Sequence, residues 1–340
     1  MVFAGARLSR WLDLFLVAIV VGNCGLCLAF AQTQINDVHI QPRVDLSAPP
    51  SGGALTAAFD THTKPIHTEV DLVLVPVTIT DPGDRIVTGL ESGNFQLYEG
   101  KRQQAIRHFS TEDAPVSLGI LLDVSGSMKG KIERAREAAL EFLKAANPQD
   151  EFFLIGFSDG PQVLRDFTSA DGDIPAAMIF ASPKGQTALL DAIYLGFAKM
   201  REARYQRRAL LIISDGGDNH SRYTGSEIRN LAKEADVAIY SIGIFDRRCP
   251  TEEELLGPEL LATIAAVSGG RSYTVDNPNY LPAVAERVGT ELRNQYVLAY
   301  RPENSAHDGK WHKIKVRLRL PRGFPPLHIF AKTGYYAPAR

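Results

Sequence analysis

Cysteine is scarce in this chain, with 3 in 340 residues. Two of them, Cys24 and Cys27, fall inside an apolar N-terminal stretch that reads as a removable leader. With the leader gone, Cys249 is the only thiol left, so no intrachain disulfide is available and stability must come from core packing. The same placement rules out Cys24 and Cys27 as a redox or zinc pair of the mature protein. Neither has the small, apolar run-up of a lipid-modified cysteine. Charge of one sign is missing as well: Lys+Arg 37 against Asp+Glu 39 leave a formal net charge of -2. That argues against a nucleic-acid or polyanion binder. No block of like charges offers an interaction tail, and no Gly-x-Ser-x-Gly elbow surrounds Ser125 or Ser127, which weakens any serine-hydrolase reading.

What is present is an ordinary globular mix, 45% hydrophobic and 22% charged, in a chain long enough for two or three domains. Residues 1–31 form a secretory signal: Arg7 and Arg10, then an apolar run from Trp11, then Ala29-Phe30-Ala31 with cleavage expected after Ala31. The competing reading is an uncleaved anchor, the one route by which a membrane would be involved. Residues 32–66, with Pro42, the Ser47-to-Gly53 cluster and Pro65, read as a flexible linker.

From residue 67 the texture turns to β. Residues 70–80 are β-branched and partly alternating, and the turn Asp81-Pro82-Gly83-Asp84 closes them. Shorter strands are expected at 95–98 and 104–109, with a hairpin turn at Gly100. The middle alternates between apolar strands (to Leu122, 152–157, 162–167, 209–213, 237–244, 271–275) and amphipathic helices (131–146, after Thr187, 226–235, 259–267, 280–293). After Asn294 the chain returns to strands at 295–300, 313–320 and 327–332. The fold class is therefore α/β, with a doubly wound, mostly parallel sheet covered on both faces. Neither β segment, 67–112 nor 294–340, makes a core alone. They are expected to pack together into a small β-sandwich, with the α/β domain at 113–293 between them.

The most informative stretch is Asp123-Val124-Ser125-Gly126-Ser127, at the end of the first buried strand of the middle region. A carboxylate and two hydroxyls at alternate positions suit a hard divalent cation, which takes oxygen ligands. Thr187, opening a helix, and Asp215, ending a second buried strand, complete the set. Open parallel sheets bind ligands outside the carboxyl ends of their strands. Hydroxyls add oxygen without charge, so such an ion is not over-neutralised and keeps an open position able to recruit an outside acid.

Asp123-x-Ser125-x-Ser127, Thr187 and Asp215 resemble the metal-ion-dependent adhesion site of von Willebrand factor type A domains, over roughly residues 113–293. The flanks, through Val70-Asp71-Leu72-Val73, Phe95 to Gly100 and Trp311 to Val316, resemble a bacterial family of secreted, acidobacterial-type proteins with a related domain. The resemblance implies Mg²⁺, or Mn²⁺ or Ca²⁺, on the top edge of the sheet. Ser125, Ser127 and Thr187 would approach the ion directly, and Asp123 and Asp215 often through water. A protein partner's Asp or Glu carboxylate would complete the shell. The chain is thus expected to be an exported, non-enzymatic adhesion or binding protein, secreted or held in the periplasm or cell envelope.

Two rivals stand beside this reading. A haloacid-dehalogenase-type phosphohydrolase would use Asp123 as nucleophile, but its general acid belongs two residues later, where Ser125 stands. A structural envelope protein would use the metal for stability alone. Lys129 and His220 read as solvated side chains. Asp218 and Asn219 either tie a loop down or touch a metal-bound water.

Overall fold

The computed structural model describes residues 72–170, 172–245, 252–302, 308–321 and 323–337, with the side chains of 252–255 left out of account. The leader 1–31, the linker 32–66 and Cys249 lie outside the described residues. The chain enters on β1 (Val73–Thr80), β2 (Phe95–Glu99), β3 (Arg102–Gln104) and β4 (Ile106–Ser110). Gly100 makes the turn between β2 and β3 with φ +58°, a conformation that glycine adopts freely. The single strand expected over 104–109 is in fact two, broken at Ala105, which go on to join different sheets. A strand that changes sheets this way forms the corner of a sandwich.

The α/β part follows as β5 (Ser117–Asp123), α1 (Ile132–Lys144), β6 (Glu151–Phe157), β7 (Pro161–Thr168), α2 (Asp173–Ile179), α3 (Leu189–Met200), β8 (Arg208–Ser214), α4 (Gly225–Glu234), β9 (Ala238–Ile244), α5 (Glu252–Ser268), β10 (Ser272–Val275) and α6 (Leu281–Arg293). Its sheet runs β10-β9-β8-β5-β6-β7. All neighbours are parallel except β7, which is antiparallel to β6. Every residue of β5 is buried, as its unbroken apolar run requires of a strand covered on both faces. Leu118, Ile120 and Leu122 pack on α1 and α6, whereas Leu121 faces the layer of α3, α4 and α5. The helix α2 was not expected; seven residues with Pro175 in the first turn carry too little periodicity to read.

The chain ends on β11 (Tyr296–Tyr300), β12 (Trp311–Leu318), β13 (His328–Ala331) and β14 (Gly334–Tyr336). These join the opening strands in two four-stranded sheets, β13-β1-β11-β4 and β14-β12-β2-β3. The register sets Val77 against Tyr296 and Leu97 against Val316. Val75, Val77, Ile79, Phe95, Leu97, Tyr296, Leu298, Tyr300, Ile314 and Val316 form one core between them. Strands from both ends of the chain thus supply each sheet and each face of that core.

A charged seam joins the sandwich to the α/β part. Glu291 of α6 is wholly buried and meets the Arg271 guanidinium and the Tyr273 hydroxyl. Arg271 and Arg287 also hold Asp84 of the β1–β2 turn, each at 2.5 Å. Removing Arg271 would take from the buried Glu291 its nearest cation, which is costly. Gln295 adds hydrogen bonds to Tyr240 at 3.1 Å and Thr78 at 3.3 Å.

Inside the sandwich His312 lies 2.8 Å from Glu99 and 3.2 Å from Asp308, and Tyr300 donates to the other Glu99 oxygen. Burial pulls the imidazole pKa down, but the two carboxylates outweigh it and raise it above the usual 6.5. A raised folded pKa contributes stability that is full below the unfolded value and lost as pH climbs through the folded one. The melting temperature should therefore fall by a few degrees between about pH 6 and about pH 8, and His312→Gln should flatten that slope. A wild-type slope that survives the substitution would place its origin elsewhere.

Candidate functional site

Three loops meet at the carboxyl ends of β5, β6 and β8, and backbone geometry laces them together. Asp123 closes β5, and its carboxylate accepts the Ser125 N–H at 2.9 Å and the Ser214 hydroxyl at 2.6 Å. That second bond ties the first loop to the end of β8. The Gly126 N–H donates to the Gly185 carbonyl at 3.0 Å, joining the first loop to the segment before α3. The Asn219 and His220 N–H groups both donate to the Thr187 carbonyl at 3.1 Å, joining that segment to the loop after β8. Gly185 holds φ +78°, and a Cβ there would run into the Asp159 carboxylate, so only glycine fits this corner.

Within this frame Asp123 is 0% exposed, Asp215 1%, Ser125 1% and Thr187 4%, while Ser127 sits at the surface. The Ser125 and Ser127 hydroxyl oxygens are 2.9 Å apart. Burial, and then the neighbouring Asp215 carboxylate, push the Asp123 carboxyl up to about 6. The structure therefore brings Asp123 and Asp215 within strong electrostatic reach, pairs the serines, and ties the Thr187 backbone to the loop after Asp215. The donor set is oxygen only and hydroxyl-rich. Among the described residues no three His, Cys, Asp or Glu side chains gather into a ligating group, so a cation here would depend on the hydroxyls. Two buried, mutually repelling carboxylates beside paired hydroxyls fit a hard divalent ion.

Sequence reasoning missed two participants. Lys131, at the start of α1, places Nζ 3.2 Å from Asp215 Oδ2, with its side chain 17% exposed. Ser214 bridges, donating to Asp123 while accepting the Gly216 N–H at 3.0 Å. Ser214 was readable only as the residue before the acid, and Lys131 only as a basic residue one turn beyond the loop. The two polar residues left open, Asp218 and Asn219, both bind backbone. Asp218 accepts the Leu189 and Leu190 N–H groups at 2.9 and 3.4 Å, which caps α3, and the Ser221 hydroxyl at 2.5 Å. Asn219 accepts the Thr187 N–H at 3.0 Å. Lys129 and His220 are exposed.

Comparison with known proteins agrees with this architecture. Residues 118–217 match the family model of the von Willebrand factor type A domain. Inter alpha-trypsin inhibitor heavy chain 4 of Mus musculus is 28% identical over 166 residues, covering 44% of this chain and 17% of that relative. Inter-alpha-trypsin inhibitor heavy chain H3 of Mesocricetus auratus is 26% identical over 239 residues, 64% of this chain and 26% of the relative. A solved von Willebrand factor type A structure from Catenulispora acidiphila is similar at a TM-score of 0.47 and 14% identity, covering 77% of this chain and 62% of that one. The chain thus carries a stretch, residues 118–217, that matches the von Willebrand factor type A domain, and it spans well under half the length of these two curated relatives.

The Asp123 carboxyl sets a pH dependence in chelated protein. Its folded pKa lies near 6, above the ordinary 3.8, so its contribution to stability is complete below the ordinary value and is lost as pH rises through about 6. Asp123→Asn cannot ionise. In chelator its melting temperature should exceed wild type by a few degrees at about pH 8, with the gap narrowing as pH falls through about 6 and closing only toward about pH 4. A variant that melts below wild type at the higher pH would contradict the repulsion drawn here.

Proposed function

We propose that this domain is a metal-dependent protein-binding module. In this reading Asp123, Ser125, Ser127, Thr187 and Asp215 hold a divalent cation, Mg²⁺ first and Mn²⁺ or Ca²⁺ as substitutes. The partner is a protein that presents an Asp or Glu carboxylate. The observation that carries the reading is the buried Asp123–Asp215 pair beside serine hydroxyls 2.9 Å apart. That spacing matches two adjacent ligands of an octahedral ion with bonds of about 2.1 Å. When bound, the ion would supply a positive, oxygen-seeking centre with a coordination position for an outside acid. The chain's own residues do the rest. Ser214 and the Ser125 N–H orient Asp123, Asn219 fixes the Thr187 backbone, and Asp218 holds the start of α3.

Domains of this family are for the most part interaction modules rather than enzymes, which favours binding over catalysis. The relatives are inter-alpha-trypsin inhibitor heavy chains; their other partners and activities are not carried over. With the leader-like residues 1–31, we assign the module to the secreted, periplasmic or cell-envelope space. Among the described residues no helix is long and apolar enough to cross a membrane.

Calorimetric titration of the purified chain with Mg²⁺ and Mn²⁺ tests the reading. One ion per chain is expected, with Thr187→Ala or Asp215→Asn weakening uptake at least about tenfold. Capture of an acid-bearing partner should be lost with chelator and in Thr187→Ala. Uptake that raises the melting temperature without altering any interaction would favour a purely structural ion. Turnover of phosphate esters that disappears in Asp123→Asn would replace binding by phosphoryl chemistry.

A further inference from the structure

Lys131 deepens the reading of the same site and rests on it. It stands at the junction between the Asp123 loop and α1, and it reaches across to the far acid: Nζ is 3.2 Å from Asp215 Oδ2. The carboxylate it meets is 1% exposed, and the lysine side chain itself is mostly covered. Asp123 lies next to Asp215 and is fully buried. The two acids and the lysine by themselves carry one net negative charge in place of two.

From this we infer that Lys131 is an internal counter-charge for the cation site, which holds the two acids together when no metal is bound and weakens the site's grip on a divalent ion. The physics is that of like charges at short range. An ammonium beside Asp215 repels any cation sharing that carboxylate, and partial burial keeps water and salt from screening the repulsion. The same ammonium offsets the mutual repulsion of Asp123 and Asp215, which otherwise opposes folding of the metal-free protein. Lys131 therefore acts as a positioning and tuning residue, and the exchangeability of the ion is set within the chain. Its charge also remains once a divalent ion joins the two carboxylates. A fixed positive charge at this point favours an acidic partner over a neutral one.

The test uses the full chain as wild type, Lys131→Met and Lys131→Arg, with Mn²⁺ as probe. Calorimetry should give at least about tenfold tighter Mn²⁺ binding in Lys131→Met, with Lys131→Arg close to wild type because its charge is kept. In chelator Lys131→Met should melt several degrees below wild type, and saturating Mn²⁺ should close the gap. Equal Mn²⁺ affinities in the wild-type and methionine proteins, or equal melting in chelator, would overturn the role of Lys131 while leaving the cation site intact. Absence of Mn²⁺ uptake by all three proteins, each melting cooperatively, would overturn the cation site itself.

Discussion

Two carboxylates lie almost wholly out of water at the ends of neighbouring parallel strands, and the top of this domain is organised around that fact. The pairing of β5 with β8 sets Leu122 against Ile213, so Asp123 comes abreast of Ser214 and Asp215 follows one residue on. Charges so placed repel, and burial strengthens the repulsion. The chain meets it with directed donors: the Ser125 N–H, the Ser214 hydroxyl and the Lys131 ammonium. Even so, Asp123 stays well above the usual carboxylate range. A fold seeking stability alone would put apolar groups at these positions. Keeping two acids there makes sense where a cation belongs.

The readable parts of this architecture were those written in local periodicity. Leu118 to Leu122 is apolar without a break, as a central parallel strand must be. Leu189, Ile193, Phe197 and Met200 recur at helical spacing, and all four are buried. The candidate site was legible because its side chains have distinctive chemistry and stand at element ends. The missed parts depend on contacts between distant segments. Ala105 looks like any mid-strand residue, yet β3 joins β2 while β4 joins β11. The strand β14 has three residues, and its pairing with Trp311 to Lys313 was invisible in its own sequence. Lys131 was read as the first residue of an amphipathic helix. Its partner lies eighty-four residues further on, a separation that no local pattern reports.

The route of the chain ties the two sheet systems to the site. It leaves the sandwich after β4, builds the α/β layer, and returns from α6 through Asn294 into β11. Arg207, just before β8, donates to the Ala114 and Leu292 carbonyls at 2.5 and 2.6 Å, which fastens the chain's entry and exit beside the foot of that central strand. Glu291, Arg271, Arg287 and Asp84 then clamp α6 to the β1–β2 turn. The lower end of the α/β part is thereby bound to a second core, while the upper end carries the loops that meet at Asp123.

That division gives the hydroxyl-rich donor set its meaning. A site with four carboxylates would more than neutralise a divalent ion and would repel an outside acid. Here two acids are balanced in part by Lys131, and in the proposed site Ser125, Ser127 and Thr187 would add oxygen without charge. An ion bound as proposed would keep a position for one more anion, and the surface position of Ser127 marks the side on which solvent reaches the loops. In the proposed reading, affinity for a partner would follow from incomplete charge on a rigid frame, because the loops are already laced and a partner need not order them.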